Sequence, residues 1–133
     1  MTRYLLDTNI LSDLIKNPQG KAAQRIAKVG ESAICTSIIV ASELRYGCAK
    51  SNSARLHKAV ADLLGEIEVL PFEEPADVDY GAIRAALEAA GTPIGSNDLL
   101  IAAHARAVGA VIVTANTQEF KRVGGVKVEN WLG

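Results

Sequence analysis

The feature that most constrains this chain is an alternation of two periods. Five short runs rich in Val, Ile, Leu and Thr stand out: Arg3–Leu6, Ala33–Thr36, Glu68–Phe72, Val111–Thr114 and Val126–Val128. Between them, apolar residues recur every three or four positions over Ile10–Ile15, Lys21–Val29, Ile38–Ala49, Ala54–Leu64, Ala76–Ala90 and Asp98–Val108. Short β-type runs separated by helical stretches predict an α/β fold, because strands joined through helices pair in parallel by crossover. The expected architecture is a central, mostly parallel sheet flanked by helices. Two helices fit between the first and second strands, and two more between the second and third. Gly30, Gly65, Gly91 and Gly109 fall where helices would end in a left-handed residue, and Ser96 follows the turn Thr92-Pro93-Ile94-Gly95 as a natural N-cap.

At 133 residues the chain has room for one core, so residues 1–133 are expected to form a single domain. Aromatic residues are 5% of the chain, which leaves Ala, Leu, Ile and Val to build that core. The first apolar run stops at Asp7, too early for a secretory signal, and the uncharged stretch from Ser32 to Ser42 is about half a membrane span. A cytoplasmic chain with no membrane association is therefore expected. Cys35 and Cys48 lack metal-ligand spacing and read as reduced core thiols.

The net charge of −1 hides an asymmetry. Residues 1–60 carry nine Lys and Arg against four acids, whereas residues 61–133 carry five against eleven. A basic half within a neutral protein can meet a polyanion.

In open α/β sheets the ligand crevice lies beyond the carboxyl ends of the strands, so polar residues just after a β run carry weight. Asp7 directly follows Tyr4-Leu5-Leu6, and Asn116 follows the run ending at Ala115. Glu43 has Ile39, Val40, Tyr46 and Gly47 as its helical neighbours, with no basic partner among them. Asp98 opens a helix that is almost wholly apolar and small, which carries its carboxylate to the rim of the core. If three such acids approach to about 4 Å, each like-charge pair costs roughly 4 kcal/mol at an effective dielectric near 20. Either a proton is taken up or a divalent cation sits between them. Oxygen ligands suit Mg2+ or Mn2+, and such a cation can generate hydroxide and neutralise a phosphodiester.

At these residues the chain resembles the PIN-domain ribonucleases, specifically the VapC toxins of bacterial toxin–antitoxin pairs. The matching stretches are Leu5-Leu6-Asp7-Thr8-Asn9, Ser42-Glu43-Leu44-Arg45-Tyr46-Gly47, Gly91 through Ala105, and Val113 through Phe120. Their order and spacing agree over essentially the whole chain. The resemblance implies a PIN fold and Mg2+- or Mn2+-dependent endonuclease activity on RNA, often structured RNA such as tRNA. It makes Asp7, Glu43 and Asp98 the acidic triad, with Asp7 and Asp98 as metal ligands and Glu43 completing the site or orienting the attacking water. The family often has a fourth acid where this chain has Asn116; Glu119 is the candidate to supply that charge. In-line attack by water would leave 5′-phosphate and 3′-hydroxyl ends.

Lys16, Lys21, Arg25, Lys28, Lys50, Arg55 and Lys58 are the candidates for tracking an RNA backbone. His104, between Ala103 and Ala105, reads as a packed histidine, His57 as an exposed one, and Trp131 as a packing anchor. The resemblance also implies a homodimer held inactive by a VapB-type antitoxin, whose tail places an Arg or Lys among the carboxylates. Two other readings stand beside this one. An aspartyl-phosphate phosphatase would need an Asp where Asn9 stands. A non-catalytic RNA- or protein-binding PIN domain would tolerate loss of the acids, yet all three are present.

Overall fold

The computed structural model describes residues 1–133. Strand β1 (Tyr4–Leu6) leads into α1 (Thr8–Lys16) and α2 (Lys21–Val29), and a 3-10 turn at Glu31–Ala33 precedes β2 (Ile34–Ser37). Helices α3 (Ile38–Ser51) and α4 (Ala54–Glu66) then reach β3 (Glu68–Leu70). The chain continues through α5 (Ala76–Ala89), α6 (Ser96–Val108), β4 (Val111–Val113), α7 (Thr117–Phe120) and β5 (Val128–Glu129). The α/β architecture and the paired helices between early strands are as the periodicity predicts.

All strand pairs are parallel, in the order β3-β2-β1-β4-β5. The chain builds outward from β1 to β3, then returns to lay β4 on the other side of β1, with Leu6 opposite Val113. At that reversal the connections leave β1 and β4 in opposite directions, which opens a crevice beyond their carboxyl ends. The Asp7 N–H donates to the Val113 carbonyl at 2.9 Å, so the ladder extends one residue past β1 and sets Asp7 on the crevice lip.

Leu5, Leu6, Ile112 and Val113 are fully buried, each such side chain contributing roughly 1.5–3 kcal/mol. Helix α6 is buried along Ile101, Ala102, Ala103, His104 and Ala105 without a break. A helix apolar on all sides belongs inside, and its small residues let neighbouring backbone approach closely. Gly109 at φ 71° closes α6 in the left-handed region, two residues before β4 begins.

Several boundaries differ from the sequence pattern. Helix α1 starts at Thr8 rather than Ile10, because Asp7 caps it by accepting from the Thr8 N–H. Ser96 is the first helical residue of α6, not its cap; Gly95 occupies the cap position without a side-chain bond. Gly65 lies inside α4, which runs on to Glu66 and gives way to the extended Ile67. Helix α7, four residues long, is too short to show a period. No helix is long and apolar enough to cross a membrane. Cys35 and Cys48 are free and buried, and burial pushes the Cys35 thiol up to about 11.

Candidate active site

Three consecutive residues at the end of β1 divide the work of the crevice. Asp7 is 4% exposed. Its Oδ1 accepts from the Thr8 N–H at 2.8 Å, and its Oδ2 accepts from the Thr114 hydroxyl at 2.7 Å and the Asn9 amide at 3.3 Å. Burial raises the Asp7 pKa, the neighbouring Glu43 charge adds to the rise, and the hydrogen bonds from Thr114, Thr8 and Asn9 oppose it. Thr8 turns its hydroxyl the other way and donates to Glu43 Oε1 at 2.5 Å. Asn9 ties the crevice to the β4 end by accepting from the Ala115 N–H at 2.9 Å.

Glu43 is half-buried on α3, and the Asn97 amide donates to its second oxygen at 3.1 Å. Its partners therefore come from α1 and α6, not from its own helix, and both are neutral. Asp98 sits in the first turn of α6, where the helix dipole favours a negative charge. The Asn116 amide reaches both Asp98 Oδ2, at 3.2 Å, and Glu119 Oε2, at 2.5 Å. The other Glu119 oxygen accepts from the Gly95 N–H at 3.2 Å, which occupies the donor at the start of α6.

The Asp98 carboxyl is pushed up to about 7. Burial is the largest cause, followed by its hydrogen bond with Glu119 and the charges of Asp7, Glu119 and Glu43. Glu119 is drawn below the usual carboxylate range by that same bond to Asp98, then by the Asn116 amide, with the Gly95 N–H and the Arg122 charge assisting. The five ion pairs of the molecule all lie elsewhere, so no Lys or Arg is paired with these four acids.

The structure thus brings Asp7, Glu43, Asp98 and Glu119 to one crevice, with Asn116 bridging two of them. It does not assemble three carboxylates into a finished ligand cage. Mutual repulsion and neutral donors hold each acid in its own place. An unneutralised set of hard oxygen ligands is nevertheless what Mg2+ or Mn2+ requires. Mg2+ in particular is commonly held by only one or two carboxylates with water filling the remaining positions. Asp7 and Asp98, both with raised affinity for a proton, fit that role.

The seven basic candidates, Lys16, Lys21, Arg25, Lys28, Lys50, Arg55 and Lys58, are all exposed, and none is bonded to the crevice acids. The cation whose charge acts on one of them, Glu119, is Arg122, whose guanidinium donates to the Pro93 carbonyl at 3.0 Å. Its place three residues after Glu119, one turn further on, is the signal the sequence carries for it. Thr8, Asn9, Asn97 and Thr114 lie inside the stretches that carry the family resemblance, but nothing there singles them out from their neighbours. Their role is read only from what they touch.

The histidines take no part in the crevice. His104 is 1% exposed, its Nδ1 lies 2.7 Å from Ser37 Oγ, and its ring meets Phe72 edge-on. Burial lowers its pKa, which keeps the ring neutral. His57 is exposed. Trp131 packs beside Tyr4, with ring centroids 5.2 Å apart, as an anchor.

Residues 4–126 match the PIN domain family. The chain is 39% identical to the tRNA(fMet)-specific endonuclease VapC of Shigella flexneri over 98% of its length and 99% of that protein. It is 36% identical to ribonuclease VapC2 of Haemophilus influenzae strain Rd, over 99% of its own length and 100% of that protein. Its structure superposes on the DNA-bound VapBC crystal structure from Salmonella typhimurium with a TM-score of 0.91, at 38% identity, covering 98% of this chain and 99% of that one. The promoter-DNA-bound VapBC2 structure from Rickettsia felis gives 0.90 at 34% identity, with the same coverage.

Proposed function

This chain belongs to the PIN-domain family and, within it, to the VapC ribonucleases, and from that membership we propose that it hydrolyses structured RNA at the crevice between β1 and β4. It is a ribonuclease toxin of the toxin–antitoxin type. The observation that carries the site assignment is four carboxylates sharing one crevice with no paired cation, at the cost of an Asp98 pKa near neutrality.

Asp7 and Asp98 are the residues that would hold Mg2+ or Mn2+. When bound, the dication supplies charge neutralisation on the phosphate and acidifies water. Asp7 is locked by Thr8, Asn9 and Thr114, so it offers a fixed oxygen position. Glu43, held by Thr8 and Asn97, orients the water that attacks phosphorus in line, and the 3′ oxygen leaves. Asn116 pins Asp98 beside Glu119, so one proton can reside between these two carboxyls near neutral pH. With no histidine in the crevice, the ribose 2′-hydroxyl has no imidazole base. The products therefore carry 5′-phosphate and 3′-hydroxyl ends.

The substrate we assign is tRNA, the RNA named for the Shigella relative. The partner is a VapB-type antitoxin, as in the Salmonella and Rickettsia complexes, on a homodimer of this chain in the cytoplasm. Sequencing RNA ends after parallel expression of the wild type and Asp98→Asn tests the assignment. Wild-type-specific cuts with 5′-phosphate ends are expected. Full cleavage by Asp7→Ala, or undiminished cleavage in EDTA, would overturn it.

A further inference from the structure

We propose that α2 and the C-terminal segment form a docking groove for the phosphate backbone of a structured RNA, apart from the cleavage crevice. The proposal rests on the ribonuclease reading above and states where the substrate is gripped. Helix α2 spaces Lys21, Gln24, Arg25 and Lys28 at positions i, i+3, i+4 and i+7, which puts them on one face. All four are exposed. Lys21, Arg25 and Lys28 line a depression of about 660 Å³ whose opposite wall includes Asn130 and Trp131. Across Lys21 it adjoins a second depression of about 560 Å³, lined by Lys16 and Asn17 at the α1–α2 turn.

The charges facing this groove are unequal. Lys16, Lys21 and Lys28 belong to no ion pair. The two acids present are already engaged: Asp13 by the Asn17 amide at 2.8 Å, and Glu129 by the Trp131 indole N–H at 2.9 Å. Arg25 reaches Glu129 Oε1 at 3.4 Å and lies 5.5 Å over the Trp131 ring, so its planar fork is oriented before any ligand arrives. A wall of polar and basic groups does not suit an apolar ligand, whose pockets are mostly hydrophobic. Trp131 is 5% exposed and offers no free face for a base to stack on. What remains is contact with regularly spaced phosphates, which positions an RNA without reading its sequence.

The distances suit one ligand spanning both sites. Helix α1 begins beside Asp7 and runs nine residues to Lys16, about 13 Å at 1.5 Å per residue. A domain of this length has a radius of gyration of about 14 Å, so a folded RNA can cover groove and crevice together. Lys58 is paired with Asp62, and Lys50 sits 4.8 Å over the Tyr46 ring. Arg55 is the one Lys or Arg of α4 outside an ion pair, so none of the remaining candidates offers a row of cations like that of α2, where Lys21 and Lys28 are free of ion pairs on either side of Arg25.

The test is salt titration of tRNA binding by the full chain carrying Asp98→Asn, with and without Lys21→Ala/Lys28→Ala. Deleting one cation that neutralises a phosphate lowers the slope of log K against log salt by about 0.7–0.9. The double change is expected to reduce the slope by about 1.5 and to weaken binding roughly tenfold at low salt. In the active protein, it should raise KM for tRNA more than it lowers kcat, and charge retention in Lys21→Arg/Lys28→Arg should restore both. An unaltered slope overturns the proposal, even if RNA cleavage by the wild type is intact. So does a defect confined to antitoxin binding, which would make the groove a protein interface. If the wild type cuts no RNA, the ribonuclease reading fails, while the slopes still judge the groove.

Discussion

The Asn116 amide donates to both Asp98 and Glu119, and the two carboxyls titrate in opposite directions. Asp98 is pushed up to about 7 by burial, the adjacent Glu119 carboxyl and its other acidic neighbours, while Glu119 is drawn below its ordinary range by the adjacent Asp98 carboxyl and the Asn116 amide. One carboxyl of the pair keeps a proton under conditions where an isolated carboxyl would have lost it.

Stability of the metal-free protein should depend on pH with a defined sign. Asp98 holds its proton more tightly folded, at about 7, than at its ordinary value of 3.8, so its contribution is complete below that value and lost as pH rises through 7. Asp7 is shifted in the same direction. Because Asp98 is only partly buried, solvent screening cuts the net effect to about 1–2 kcal/mol, worth about 5 °C in Tm. Calorimetry in EDTA should show Tm falling from pH 5 to pH 7.5. Added Mg2+ should flatten that fall, because the ion binds the ionised form. A flat profile in EDTA would contradict the crowding of these acids.

Asp98→Asn removes one of the repelling charges while leaving an oxygen for the Asn116 amide. Tm at pH 8 without metal should rise by about 3–5 °C, and the Mg2+ increment should shrink. RNA cleavage should fall by roughly 100-fold or more, read as initial rates on tRNA. A variant that is both less stable and fully active would speak for a purely structural Asp98.

Thr114→Val keeps the volume but deletes the hydroxyl that serves Asp7 Oδ2, the Asn9 amide and the Asn116 N–H. Leaving those groups unpaired should cost about 1–3 kcal/mol in urea unfolding, and free movement of Asp7 should lower kcat by about tenfold. Thr114→Ser should recover most of both. Equal loss in the two variants would mean that the methyl, not the hydroxyl, matters.

Asn116→Asp would place a fifth carboxylate against Asp98 and Glu119. The metal-free protein should lose about 1–2 kcal/mol at pH 8, and the Mg2+ concentration giving half-maximal cleavage should drop by several-fold. Isothermal titration with Mg2+ and Mn2+ measures the second effect directly. An unchanged affinity would place the cation away from Asn116.

Much of the frame is legible in the sequence, for reasons that differ by element. Strand runs such as Val111-Ile112-Val113 and the unbroken apolar surface of α6 declare themselves because burial on both sides demands it. Boundaries are less legible. Whether Asp7 or a later residue caps α1, and whether Gly65 ends α4, turns on individual hydrogen bonds that leave no period in the sequence. The neutral groups around the acids are hidden for a related reason. Thr8, Asn9, Asn97 and Thr114 fall within the motif stretches but are common turn and cap residues, and contact with Asp7 or Glu43 is what assigns their roles.

The sequence by itself determined the α/β alternation, the family, and which acids end strands or open helices. Those follow from local periodicity and from short motifs that survive without coordinates. Only the tertiary structure decided that β4 returns beside β1, and hence that Asp98, Glu119 and Asn116 stand together across from Asp7. Strand order is set by packing between distant segments, and an acid's pKa by the charges and burial it meets there. Neither is a property of any residue's neighbours along the chain.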